Sequence, residues 1–368
     1  MKSMNDKKVV VAMSGGVDSS VAAALLLEQG FEVIGITMKM FDPVDVGGDF
    51  HRDSPCCGIE AMNDARNVAL TLGIPHYIVD QSKIFKKEII ENFIQEYQKG
   101  RTPNPCVLCN HKIKWNELIE KADAVGARFV ATGHYARVKY DEARKRYLIT
   151  RGVDSNKDQT YALWGLSQEV LSRTIFPLGN YTKSQTREIA SRYGLKTAVK
   201  EESFEICFIS DNDYRRFLKE QFLKRDIRIE EGEIVLNNKI VGKHSGIPYY
   251  TIGQRGGIGA HGGKVYVTGI DTKNNVIFIG KNEDLHHKGL IAKNVNFVGV
   301  ENIEGEMRIT AQIRYKDDPS PAIVQQLGKD QVLIKFDNKK RAITPGQSAV
   351  MYSDDMLIGG GIIDSVID

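Results

Sequence analysis

Lys8-Val9-Val10-Val11-Ala12-Met13-Ser14-Gly15-Gly16-Val17-Asp18-Ser19-Ser20 decides the fold. A β-branched run stops at Ser-Gly-Gly, and a small apolar run, Val21 to Leu27, follows it. This order predicts a buried strand, a tight turn and a helix N-terminus. Glycine lets the backbone take φ > 0 and approach a ligand closely. Unsatisfied N–H groups at a helix start suit a phosphate, and Ser14, Ser19 and Ser20 supply hydroxyl donors. Asp18 repels phosphate, so it reads as a cap for the helix N–H groups or as a Mg²⁺ ligand.

Outward from this stretch one pattern repeats. An amphipathic helix ends in glycine and a short apolar strand follows: Gly30 before 31–36, Gly73 before 74–79, Gly126 before 127–132. Gly194 closes a helix over 182–193. Glycine just past a helix is the expected left-handed cap. Helices alternating with buried strands indicate a parallel sheet covered on both faces. Ligands bind beyond the C-terminal ends of such strands, where Ser14-Gly15-Gly16 and Thr132-Gly133-His134 fall.

At 368 residues the chain has room for two or three domains. It is 42% hydrophobic and 26% charged, as in a soluble globular protein, with a formal charge of +3. No apolar run is long enough to span a bilayer, and Met1 to Lys8 has no apolar signal core, so a cytoplasmic location without membrane contact is expected. In that reducing setting the five cysteines are candidates for metal, persulfide or redox chemistry rather than disulfides.

Two loops break the rhythm. Phe41 to Gly58 carries Cys56 and Cys57, for which loop packing is the simpler role; Gly100 to Asn110 carries Pro103 and Pro105, which read as excluding helix. Beyond Lys200 come one basic helix, Tyr214 to Arg225, and β segments with turn pairs at Asn237-Asn238 and Asn274-Asn275. Gly257-Ile258-Gly259-Ala260-His261-Gly262 formally fits a dinucleotide fingerprint, but a strand rather than a helix follows it. Strands at 307–315, 331–336, 342–344 and 348–352 suggest a small barrel, with a bulge at Gly359-Gly360-Gly361.

Ser-Gly-Gly-x-Asp-Ser is similar to the pyrophosphate loop of enzymes that adenylate a substrate; the Gly-Lys-Ser/Thr of a Walker A loop is absent. Separated motifs at 13–19, 100–105, 108–110, 131–135, 155–159, 206–209, 251–255 and 344–350 extend the resemblance along the chain. Together they resemble the tRNA-specific 2-thiouridylases, which thiolate the wobble uridine of certain tRNAs. The resemblance implies an α/β, doubly wound parallel-sheet ATPase domain at 1–210, a small mixed α/β tRNA-contacting domain at 211–282 and a C-terminal β-barrel at 283–368. It implies ATP and Mg²⁺ at Ala12, Met13, Ser14, Gly15, Gly16, Val17, Asp18, Ser19, Met38 and Gly133. It implies tRNA contacts at Asn104, Pro105, Cys106, His134, Lys157, Asp158, Gln159, Arg314, Tyr315 and Gln347, with tRNAs for Lys, Glu and Gln as substrates. It implies Cys109 and Cys207 as working cysteines, fed by a sulfur donor or persulfide carrier.

There is one departure. Where the family has Asn-Pro-Asp-x-x-Cys, this chain reads Asn104-Pro105-Cys106-Val107-Leu108-Cys109, so the acid's role does not carry over. Cys106, Cys109 and Cys207 match the ligand set of 4Fe–4S clusters in other tRNA-thiolating enzymes. The alternatives are a persulfide on Cys207 resolved by Cys109, with Cys106 a bystander, and a zinc site completed by Cys56 or Cys57. Competing classes are an amidotransferase-type synthetase, for which no glutaminase stretch is evident, and a non-catalytic RNA binder, against which Ser14, Asp18, Cys109 and Cys207 argue.

Overall fold

The computed structural model describes residues 5–47, 58–200, 206–209 and 211–368; Cys56 and Cys57 lie outside them. The chain forms two compact units. The first comprises residues 1–89, 106–213 and 355–357, and the second comprises 90–105, 214–354 and 358–368.

The first unit is built on strands β1 (Asn5–Ala12), β2 (Glu32–Lys39), β3 (His76–Asp80), β4 (Ala127–Ala131), β5 (Ala136–Asp141), β6 (Arg146–Arg151) and β7 (Thr174–Ile175). Five of them form a sheet in the order β3-β2-β1-β4-β7, with every pair parallel. Val9, Val10 and Val11 on the central strand are fully buried, which is why the run is continuously apolar rather than alternating. Each such burial contributes about 1.5–3 kcal/mol. The strand order reverses between β1 and β4, the switch point where ligands bind in open α/β sheets. The expected left-handed glycines are present at Gly73 and Gly126, with φ of 67° and 70°. The helix Lys183–Arg192 opens with a capping box of Thr182 and Gln185. The antiparallel hairpin β5–β6 was not expected from the sequence.

In the second unit β8 (Gly232–Leu236), β9 (Lys239–His244), β10 (Tyr266–Asp271) and β11 (Val276–Gly280) form a mixed sheet in the order β10-β11-β8-β9. Asn237 and Asn238 take φ of 50° and 60°, as a tight hairpin turn demands. A barrel follows, from β12 (His286–Phe297), β13 (Glu306–Gln312), β14 (Ser320–Gly328), β15 (Gln331–Arg341), β16 (Ser348–Ser353) and β17 (Met356–Ile367). Their order is β12-β15-β14-β13-β16-β17, and pairing of β12 with β17 closes it. The register shifts beside Gly359-Gly360-Gly361, and a Cβ on Gly359 would lie 2.3 Å from the Asn296 carbonyl oxygen. The fold class is therefore the expected one: a parallel α/β sheet, a small mixed domain and an antiparallel barrel.

Two local expectations are corrected. Pro105 does not exclude helix: it opens one, Pro105–Cys109, where its missing N–H costs nothing. That helix runs through a π turn, Asn110–Lys114, into the helix Trp115–Val125. Residues 342–344 are not a strand; Ala342 has φ of 52°. Strand β14 contains Pro321, which is tolerated near the strand start. Among the described residues no helix is long and apolar enough to cross a membrane.

Candidate active site

The site begins where β1 ends. Gly15 has φ of +72°, and a Cβ there would sit 2.1 Å from the Ala61 carbonyl oxygen, so only glycine makes this turn. Ser19 knits the loop: its Oγ accepts from the Ser14 N–H at 3.1 Å and donates to the Gly16 carbonyl at 3.2 Å. Ser20 Oγ donates to the same carbonyl at 2.8 Å. The helix Val17–Glu28 starts at Gly16, which has no side chain to cap it. The N–H groups of Gly15, Gly16, Val17, Asp18 and Ser19 have no acceptor among the described residues. They form a cradle of donors at the positive end of a twelve-residue helix.

Gly133, just past β4, closes the cradle. A Cβ on it would lie 2.6 Å from the Ser19 nitrogen and 2.7 Å from the Asp18 carbonyl carbon. Ala12 ends β1 and Met38, nearly buried, stands one residue before the end of β2. The residues expected to hold ATP therefore share one edge of the sheet. Thr37 Oγ1 braces the loop from β2, donating to the Met13 carbonyl at 2.7 Å. Its oxygen lies 2.8 Å from His76 Nε2, which must then be the donor.

Asp18 does not cap the helix. Its carboxylate is gripped by Lys183, whose Nζ lies 2.7 Å from Oδ1 and 2.8 Å from Oδ2, and by the Tyr135 hydroxyl, which donates at 2.8 Å. Tyr135 is buried, and its oxygen lies 3.0 Å from Thr186 Oγ1. The carboxylate is one-third exposed and the Lys183 side chain 12% exposed. The backbone N–H of Lys183 donates to Asp154 Oδ2 at 2.9 Å.

His134 packs between Trp115 and Phe176, with ring centroids 5.5 and 6.3 Å away. Burial, with the Lys114 charge second, pushes its pKa down to about 3. It is a neutral hydrogen-bonding group at physiological pH, 2.7 Å from Thr132 Oγ1, and too weak a base for general-base work.

Cys109 is 6% exposed, near the end of the short helix that Pro105 opens. Cys106 stands on the same helix and is exposed. Cys207 is half-buried on a turn anchored by its neighbour Phe208, whose ring lies 5.7 Å from that of Phe85. No disulfide joins these cysteines. Among the described residues no group of three His, Cys, Asp or Glu is gathered as metal ligands. The described residues give no support to a 4Fe–4S cluster.

Several residues expected at tRNA have protein partners. The Asp158 side chain, 6% exposed, pairs with Arg151 at 2.8 Å and accepts from Thr160 Oγ1 at 2.7 Å. Burial raises its pKa. Gln159 Oε1 accepts from the Tyr135 N–H at 3.0 Å. In the second unit Gln347 Nε2 donates to the carbonyls of Thr102 and Pro103 at 2.9 and 3.2 Å, fixing the loop that leads to Asn104 and Pro105. Tyr315 is exposed and Arg314 half-buried, with Arg314 3.4 Å from Asp317.

Residues 7–211 match the family described as tRNA methyl transferase HUP domain, 220–281 the tRNA methyl transferase PRC-barrel domain and 287–363 the Aminomethyltransferase beta-barrel domain. The tRNA-specific 2-thiouridylase MnmA 1 of Caldanaerobacter subterraneus subsp. tengcongensis is 50% identical, covering 98% of this chain and 99% of its own length. That of Carboxydothermus hydrogenoformans is 50% identical over 97% and 98%, and that of Clostridioides difficile 49% over 98% and 98%. The chain belongs to the tRNA-specific 2-thiouridylase family.

Within this 2-thiouridylase scaffold, the sequence reading missed the Lys183–Tyr135 grip on Asp18 and the Thr37–His76 brace. Tyr135 lay in a quoted motif without a role, and nothing local marks Lys183. The donor cradle and the space denied to a Cβ at Gly15 and Gly133 fit a nucleotide polyphosphate.

Proposed function

We propose that this chain is an ATP-dependent tRNA-uridine 2-sulfurtransferase acting on the wobble position. The observation that carries the reading is 50% identity over 98% of the chain to a curated 2-thiouridylase. The uridine 2-carbonyl is a poor electrophile whose oxygen is a poor leaving group; adenylation converts that oxygen into part of AMP. The N–H groups of Gly15 to Ser19 hold the departing pyrophosphate. Mg²⁺ would offset its charge, with Asp18 as the protein's carboxylate and phosphate oxygens and water as the other ligands.

Sulfur arrives as a persulfide on Cys207, which its half-exposed turn leaves open to a donor. The terminal sulfur adds to C2 and AMP leaves with the former oxygen. The Cys109 thiolate then attacks the Cys207 sulfur, which breaks the S–S bond and leaves the terminal sulfur on C2. A Cys109–Cys207 disulfide results, and an external thiol reductant returns two electrons to it. Cys106 takes no part.

Residues 1–210 adenylate, while 211–282 and the barrel at 283–368 add tRNA contacts. Lys157, Arg314 and Tyr315 are the exposed or half-exposed candidates, while Asp158, Gln159 and Gln347 act by positioning. The substrates are the tRNAs for Lys, Glu and Gln, and the setting is the cytoplasm. The test is mass spectrometry of tRNA nucleosides from a deletion strain. The wild-type chain restores 2-thiouridine and Asp18→Asn does not. Unchanged 2-thiouridine in the deletion strain would overturn the reading.

A further inference from the structure

Lys183 lies outside the motifs that carry the family resemblance, yet it reaches into the pyrophosphate loop. Its ammonium reaches both oxygens of Asp18, and the pair stands in the first turn of the helix whose N–H groups form the anion cradle. Three constraints fix it there. The Thr182–Gln185 capping box sets the start of its helix, Asp154 takes its backbone N–H, and its side chain is only 12% exposed. A carboxylate beside an anion cradle repels phosphate, and a desolvated ammonium beside it cancels that repulsion. The Tyr135 hydroxyl donates to the same carboxylate, so Asp18 keeps a partner when the ammonium moves.

We propose that Lys183 is a polyphosphate-binding residue of the ATP site: Asp18 stores its charge in the nucleotide-free enzyme, and it transfers to the β- and γ-phosphates when nucleotide enters. Asp18, still held by Tyr135, is then available to the incoming Mg²⁺. The proposal rests on the ATP-site reading above and adds a residue to it. The α-phosphate ends in AMP and the β,γ pair in pyrophosphate, so Lys183 acts on ATP and pyrophosphate and not on AMP.

The test is calorimetric binding of ATP, pyrophosphate and AMP, with and without Mg²⁺, to full-length wild type, Lys183→Met, Lys183→Arg and the double variant Asp18→Asn/Lys183→Met. Lys183→Met weakens ATP and pyrophosphate at least tenfold and leaves AMP within twofold. Lys183→Arg recovers most of the loss. The double variant does not recover Mg²⁺-free pyrophosphate binding, because the missing group is a phosphate ligand and not merely a counter-charge. Restored binding in the double variant would overturn the proposal, and so would unchanged ATP affinity in Lys183→Met. Loss of AMP binding or of cooperative unfolding in Lys183→Met assigns Lys183 a structural role and also overturns it. Wild type that binds none of the three ligands would defeat the ATP-site reading itself, a result distinct from these.

Discussion

Replacing Gly133 with alanine tests how the two halves of the nucleotide cradle meet. The new Cβ would lie 2.6 Å from the Ser19 nitrogen and 2.7 Å from the Asp18 carbonyl carbon, both backbone atoms that cannot rotate away. Ordinary contact begins at 3.4 Å, so the segments must separate by about 0.8 Å (3.4 − 2.6). Overpacking of this kind costs about 1–3 kcal/mol of stability. The same shift moves the Asp18 and Ser19 N–H groups against a polyphosphate, and misplacement near 1 Å costs up to about 10²-fold in rate. Gly133→Ala is therefore expected to lower kcat/KM for ATP by tens of fold in a thiolation assay and to lower Tm by several degrees. Gly194→Ala is the control. Gly194 has φ of +64° with nothing within 4 Å of a Cβ, so alanine there costs about 1–2 kcal/mol of backbone strain and leaves ATP kinetics unchanged. If Gly133→Ala keeps wild-type kcat/KM while losing stability like the control, the close approach of β4's loop to the pyrophosphate loop is not part of the site.

Cys106→Ala retains thiolation, while Cys109→Ser and Cys207→Ser each abolish it; a non-reducing mass spectrum after one turnover shows the Cys109–Cys207 link, and loss of activity in Cys106→Ala would revive the cluster. Gln347→Ala strands two carbonyls and lowers stability by about 1–2 kcal/mol, with tRNA affinity reduced and ATP affinity unchanged by calorimetry. His134 has a folded pKa of about 3, below its ordinary value, so between those limits the unfolded chain binds the extra proton. Stability that is full above pH 6.5 therefore falls as pH drops toward 3, and urea titrations of His134→Gln should lack that slope.

What the sequence determined follows from local rules. A β-branched run before Ser-Gly-Gly can only be a buried strand feeding a helix, because the glycines take conformations that other residues resist. Gly73 and Gly126 mark helix ends and Asn237-Asn238 a hairpin for the same reason. Pro105 misled, since proline both breaks helices and starts them, and only the packed chain shows which end it occupies. Tertiary structure alone decided how the site is charged. Lys183 reaches Asp18 across 165 positions of sequence, and Gln347 reaches Thr102 across 245. No periodicity encodes such contacts, because they depend on where separate elements come to rest. Burial decided the rest: it makes Asp158 an internal partner of Arg151, keeps His134 neutral, and separates a shielded Cys109 from an exposed Cys106 on one short helix. Solvent exclusion is set by neighbours from distant parts of the chain, so residues adjacent in sequence meet different chemistry.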